Sequence, residues 1–129
     1  MTQPLALFVR LFDTGCMATR DNLLISALHG TAMRYAVEQR ALDTSIMELR
    51  SIAGGRDDLI AQAAGITAGS WLAWPQVHVG HELIAVGMLI MAATGLDYDR
   101  LAHWVQIGFD RGLAAKHPVH GPPIGNGTW

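Results

Sequence analysis

The sequence predicts an all-α fold: a helical bundle with one long N-terminal helix, or a broken pair, then three shorter helices and a flexible C-terminal tail. Three observations point there. Residues 21–53 contain no proline, one glycine (Gly30), and apolar positions at helical spacing. Small residues recur every four positions through Ala61, Gly65, Gly69 and Ala73. The uncharged run LIAVGMLIMAATGL, Leu83 to Leu96, is 14 residues long, the length of a buried core helix and short of the ~20 a membrane span needs.

Size and composition set the frame. At 129 residues, with 50% hydrophobic and 16% charged side chains, the chain suits one domain with its own core. It divides into an arm of uncertain structure (1–20), a single all-α domain (21–113) and a proline- and glycine-rich tail (114–129). The net charge of −2 gives no overall attraction to nucleic acid or an anionic membrane. Cys16 is the lone cysteine, so an intrachain disulfide is excluded, and a reduced, cytoplasmic location is expected. The apolar stretch PLALFVRLF (4–12) lacks a basic segment before it and is interrupted by Arg10, unlike a secretory signal.

The first helical region carries a heptad pattern. Leu28, Tyr35, Leu42 and Leu49 are seven apart, and Ile25, Ala32, Gln39, Ile46 and Ala53 fill the other seam position. Asp21 or Thr19 can cap its start, and Gly54-Gly55 supplies a stop. Ser45-x-x-Glu48 also reads as a capping box, which would cut the region near Asp43 into two helices. A parallel dimer would set Glu38 against Asp43, so the seam is expected to pack antiparallel, on its own domain or on a two-fold mate.

Residues 57–74 form the next helix, with Asp57 and Asp58 at its positive end. Ala61, Gly65, Gly69 and Ala73 would line one face and let another helix approach closely. Pro75 then suits the first turn of a helix over about 77–94 with Gly95 as its stop. Asp97 caps a last helix on which Leu101, Trp104, Val105 and Gly108 share a face and Gly112 closes it.

The stretch AAGITAGSWLAWP (63–75) resembles a helix-turn-helix motif: Ala61 at the small position, Gly65 at the turn, Trp71 and Trp74 in buried slots. That resemblance implies DNA binding through Arg34, Arg40, Arg50 and Arg56, with Thr67 and Ser70 near the bases. Two features oppose it. The would-be reading helix has no arginine, lysine, asparagine or glutamine to address a base edge, and no lysine or arginine occurs between Arg56 and Arg100 to hold phosphates.

Six histidines raise a second chemistry. His78 and His81, with His103 from the last helix, could hold zinc or another transition metal. The spacing HVGHE is not that of HExxH or HxxEH, and local hydrogen bonding at the helix start is the competing expectation. No hydrolase, phosphate-loop or dinucleotide motif is present, so no cofactor and no catalytic residue is expected. The helix over 77–94 is apolar on nearly every face, more than four helices can cover. The sequence therefore favours a small helical interaction module, a homodimer or partner-binding protein, over a DNA-binding regulator or a metal- or ligand-binding protein.

Overall fold

The computed structural model describes residues 19–93 and 98–116. The arm up to residue 18, Gly95, Asp97 and the tail from residue 117 lie outside the described residues. Five helices follow in order: α1 (Thr19–Glu38), α2 (Leu42–Ala53), α3 (Asp57–Ala73), α4 (His81–Ala92) and α5 (Tyr98–Leu113). Every regular element described is helical, as the periodicity predicts, and no described helix is long and apolar enough to cross a membrane.

The first region is the broken pair. Its break falls at residues 39–41, where Gln39 takes φ +54 and the Arg40 N–H donates to the Tyr35 carbonyl at 3.2 Å. This is a left-handed helix stop, a position that favours glycine because a Cβ crowds the following carbonyl. The expected capping box at Ser45 and Glu48 does not form. Helix α2 starts at Leu42 behind Ala41, whose side chain makes no capping bond, and Ser45 is buried within the first turns with its N–H bonded to the Ala41 carbonyl. Replacing Gln39 with glycine should stabilise the fold by about 0.5–1 kcal/mol. A lower urea midpoint for that variant would contradict this reading.

The seam therefore doubles back on itself. Ile25, Leu28, Ala32 and Leu49 are fully buried in one core, Tyr35 and Ile46 are half-buried, and Gln39 and Leu42 at the break are exposed. The buried members of the seam, Ile25, Leu28, Ala32 and Leu49, pack inside the chain's own core. Gly54, at φ +60, ends α2 as expected, its N–H bonded to the Arg50 carbonyl at 3.0 Å.

Pairs of contacts fix the helix directions. Asp21 of α1 meets Arg56 and His29 meets Thr67, so α1 and α3 run the same way. Arg34 of α1 lies 3.9 Å from Glu48, so α2 returns antiparallel. Helix α4 returns beside it, and the Arg50 guanidinium donates to the Ala92 carbonyl at 3.0 Å, satisfying an acceptor left open at the end of α4. The exposed Arg56 guanidinium sits between Asp21 and Asp58, 3.2 and 3.0 Å away, and their carboxylates raise its already high pKa.

Helix α3 is the centre of the molecule. Every residue from Leu59 to Thr67 is buried, so α3, not α4, is the helix covered on all sides. It ends at Trp74 because the residue before a proline is pushed out of the helical region. Pro75 lies in a turn rather than in a new helix, and α4 waits until His81, after Gly80 at φ +100.

Helix α5 packs almost wholly on α3. A Cβ on Gly65 would lie 2.6 Å from the Phe109 nitrogen, and one on Gly69 3.0 Å from the Leu113 nitrogen. In return, a Cβ on Gly108 would lie 2.9 Å from the Gln62 Cα, and one on Gly112 2.8 Å from the Ser70 nitrogen. Both rows advance together, so the two helices are parallel and meet backbone to backbone. Each glycine also aims a Cα hydrogen at a carbonyl opposite: Gly65 at Val105, Gly69 at Phe109, Gly108 at Gln62 and Gly112 at Ile66. The small-residue face of α3 thus has its partner, and Gly112 lies inside α5 rather than closing it. An Arg111 nitrogen donates to Asn22 Oδ1 at 3.0 Å and ties α5 to the start of α1.

Candidate functional site

Two features stand out once the core is accounted for: a sealed polar network between α3 and α4, and an uncovered apolar face on α4. The network begins at Ser70, one turn from the end of α3. Its Oγ lies 3.3 Å from His78 Nε2, and His78 Nδ1 lies 2.6 Å from Glu82 Oε2. The other Glu82 oxygen accepts the Gly80 N–H at 3.0 Å. With Nδ1 donating to the carboxylate, Nε2 accepts the serine hydroxyl when the ring is neutral and donates to the serine oxygen when it is protonated. Gly80 lets this happen. Its φ of +100 turns the chain sharply between His78 and α4, so that Glu82, in the first turn, can reach back to both.

The environment of Glu82 is set by opposing effects. Burial alone pushes its carboxyl pKa up. Its own backbone N–H, the His78 ring and the Gly80 N–H together outweigh this and leave the pKa below the usual value. The carboxylate form is the one this pocket stabilises.

Hydroxyl, imidazole and carboxylate follow one another here in the order used by hydrolytic triads. Access decides the chemistry. Ser70 is 1% exposed, and the His78 and Glu82 side chains are fully enclosed. A nucleophile must face a substrate carbon, and this hydroxyl faces protein. The arrangement is a clasp that holds the Trp74–Gly80 connection against α3. A second buried bond, between His29 Nδ1 and Thr67 Oγ1 at 2.8 Å, ties α1 to α3. Thr67 donates its hydroxyl proton to the Ala63 carbonyl, so the histidine nitrogen is the donor in that pair.

These positions correct several expectations. Gly65 sits inside a continuous helix, so no helix-turn-helix turn exists there. Thr67 and Ser70 are buried and have no base edge within reach. Arg34 lies beside Glu48, Arg40 beside Glu38, Arg50 bonds the Ala92 carbonyl, and Arg56 pairs with Asp21 and Asp58.

The three histidines are not brought together either. His78 is not on α4 but in the turn before it, committed to Ser70 and Glu82. His81 begins α4, and His103 lies exposed on α5, edge-on to Trp104 with ring centres 5.2 Å apart. No group of three or more metal-ligating side chains occurs among the described residues. The role of Glu82 was missed by sequence reasoning. Its signal was present as His78-x-x-x-Glu82, an i,i+4 spacing, but the metal reading grouped His78 with His81 and His103 instead.

The second feature is the outer face of α4. Leu83, Ile84 and Met91 are 53%, 50% and 44% exposed, and Gly87 between them is exposed too. No charged residue occurs from Leu83 to Ala93. The other face of α4, with Ala85, Met88, Leu89 and Ala92, is buried in the core. The chain matches no family model, no curated protein and no solved structure.

Proposed function

We propose that this protein is a homodimeric helical interaction module, in which α4 of one copy packs antiparallel on α4 of another about a two-fold axis at Gly87. The uncovered, charge-free face of α4 carries this reading. Surface leucine, isoleucine and methionine scattered singly need no explanation, whereas an uncharged apolar stripe along one helix does.

The stripe is also self-complementary. Gly87 lies at the middle of α4, which spans His81–Ala92. A two-fold axis there sets Leu83 of each copy beside Met91 of the other, the isologous arrangement of a closed dimer. Gly87 itself fits this geometry. A Cβ there would meet nothing within 4 Å, so the monomer has no use for a glycine that costs its helix about 1 kcal/mol relative to alanine. A second helix approaching across that notch gives it one. Antiparallel α4 helices also oppose their end charges favourably.

Sedimentation or light scattering tests the proposal directly. The wild-type protein should be a dimer at micromolar concentration. Ile84→Glu and Met91→Glu should each weaken association about 100-fold or more, since a lone carboxylate would enter the interface, and leave helicity unchanged. Gly87→Ala should weaken association while stabilising the monomer. A wild-type chain that sediments as a monomer at 100 times that concentration would overturn the reading.

A further inference from the structure

We infer that the cleft between the end of α1 and the start of α4 binds a small organic carboxylate carrying a short apolar group. The cleft has a volume of about 300 Å³ and is lined by Tyr35, Ala36, Gln39, Arg40, His81 and Ile84. This is the lower end of the range for small-molecule sites, where an apolar floor and a few convergent polar groups are usual. Ala36 and Ile84 supply the floor. Tyr35, Gln39, Arg40 and His81 supply a phenol, an amide, a guanidinium and an imidazole.

The chemistry of that rim is one-sided. All four side chains can donate hydrogen bonds, and no acidic side chain lines the cleft. Among the described residues, the side chains of Tyr35, Gln39 and His81 make no hydrogen bond. Arg40 has only an exposed approach to Glu38 at 3.9 Å, beyond hydrogen-bond length. The cleft therefore has donors and one cation but no anionic acceptor of its own. A carboxylate supplies two in one plane, matched to the fork of a guanidinium. The floor favours an apolar substituent over a bare inorganic anion.

The backbone points to the same place. Gln39 is the one described residue other than glycine with positive φ. A helix stop there needs no side chain, and glycine would take that conformation at lower cost. Local strain of this kind is found where a side chain serves a ligand. The Gln39 amide reaches the cleft only because residue 39 is not glycine.

Amide chemical-shift titration of the full chain with sodium benzoate, at fixed ionic strength, tests the inference. Benzamide serves as the uncharged isostere, and inorganic phosphate as the bare anion. Benzoate should give saturable shifts centred on Gln39, Arg40 and His81, with both comparators at least about tenfold weaker. Arg40→Gln should weaken benzoate about tenfold and leave benzamide unchanged. Arg40 is exposed, so this variant folds, and it leaves the Leu83–Met91 stripe intact; because Ile84 belongs to both cleft and stripe, light scattering with and without benzoate reads dimerisation alongside binding. Equal response to benzamide or phosphate, shifts centred elsewhere, or no saturation would each overturn the inference.

Discussion

Gly108→Leu will detach α5 from α3. The new side chain would begin 2.9 Å from the Gln62 Cα and carbonyl carbon, and backbone cannot swing aside as a flexible side chain does. Overpacking a core costs typically 1–3 kcal/mol, and an obstacle made of main chain places this substitution at or above about 3 kcal/mol. Amides of Tyr98–Leu113 should lose hydrogen-exchange protection first, because α5 rests almost wholly on α3. Gly30→Ala is the matched control. A Cβ at Gly30 meets nothing within 4 Å on an exposed helix face, so this change should stabilise by up to about 1 kcal/mol. Wild-type stability for Gly108→Leu would mean that the two helices do not meet through their glycines.

Glu82→Gln will be the second most damaging single change, and its effect will depend on pH. The variant keeps the shape of the side chain but replaces a charged acceptor of the His78 and Gly80 hydrogens with a neutral amide. Bonds to a buried charged group are worth about 1.5–3 kcal/mol each, so a loss of about 2–4 kcal/mol at neutral pH is expected. The folded protein holds Glu82 below its ordinary pKa of 4.5, so its stabilisation is fully present above that value. It is lost as pH falls from there through the folded-state pKa. Wild type and variant should converge in acid, and urea unfolding at stepped pH reads this directly. A constant gap between them down to the acid limit would show that the carboxylate charge has no part in the clasp.

Much of this architecture was legible from residue spacing, because helix geometry is local. The row of Ala61, Gly65, Gly69 and Ala73 announced a helix neighbour at close range, and Gly65 and Gly69 have one in α5. The matching row on the other side, Gly108 and Gly112, is written with equal clarity in the sequence. It reads instead as a face and a terminator until the two helices are set side by side. The helix-turn-helix resemblance failed for the same reason. A glycine that could bend the chain and a glycine that admits a neighbour look alike in one dimension, and only packing separates them.

The clasp was hidden by a boundary error. Proline at 75 suits a helix start, but its stronger effect is on Trp74, which it forces out of α3. The turn that follows holds His78 between Ser70 of α3 and Glu82 of α4. Periodicity says nothing of such tertiary pairings. The apolar excess of α4 was visible at once, yet the sequence alone could not say which of its faces the chain would leave uncovered.

The glycine contact between α3 and α5 has a mechanical consequence. Side-chain interfaces yield by small rotamer changes, so helices joined by them can creep past each other. Here the main chain of each helix rests in notches of the other, and those notches repeat every four residues at Gly65 and Gly69 and at Gly108 and Gly112. A slide of one or two residues would drive a Cβ into a carbonyl. The next permitted setting lies a full notch away, about 6 Å along the axis at 1.5 Å per residue. Helix α5 is thus indexed rather than adjustable: it occupies its place, jumps a whole step, or leaves.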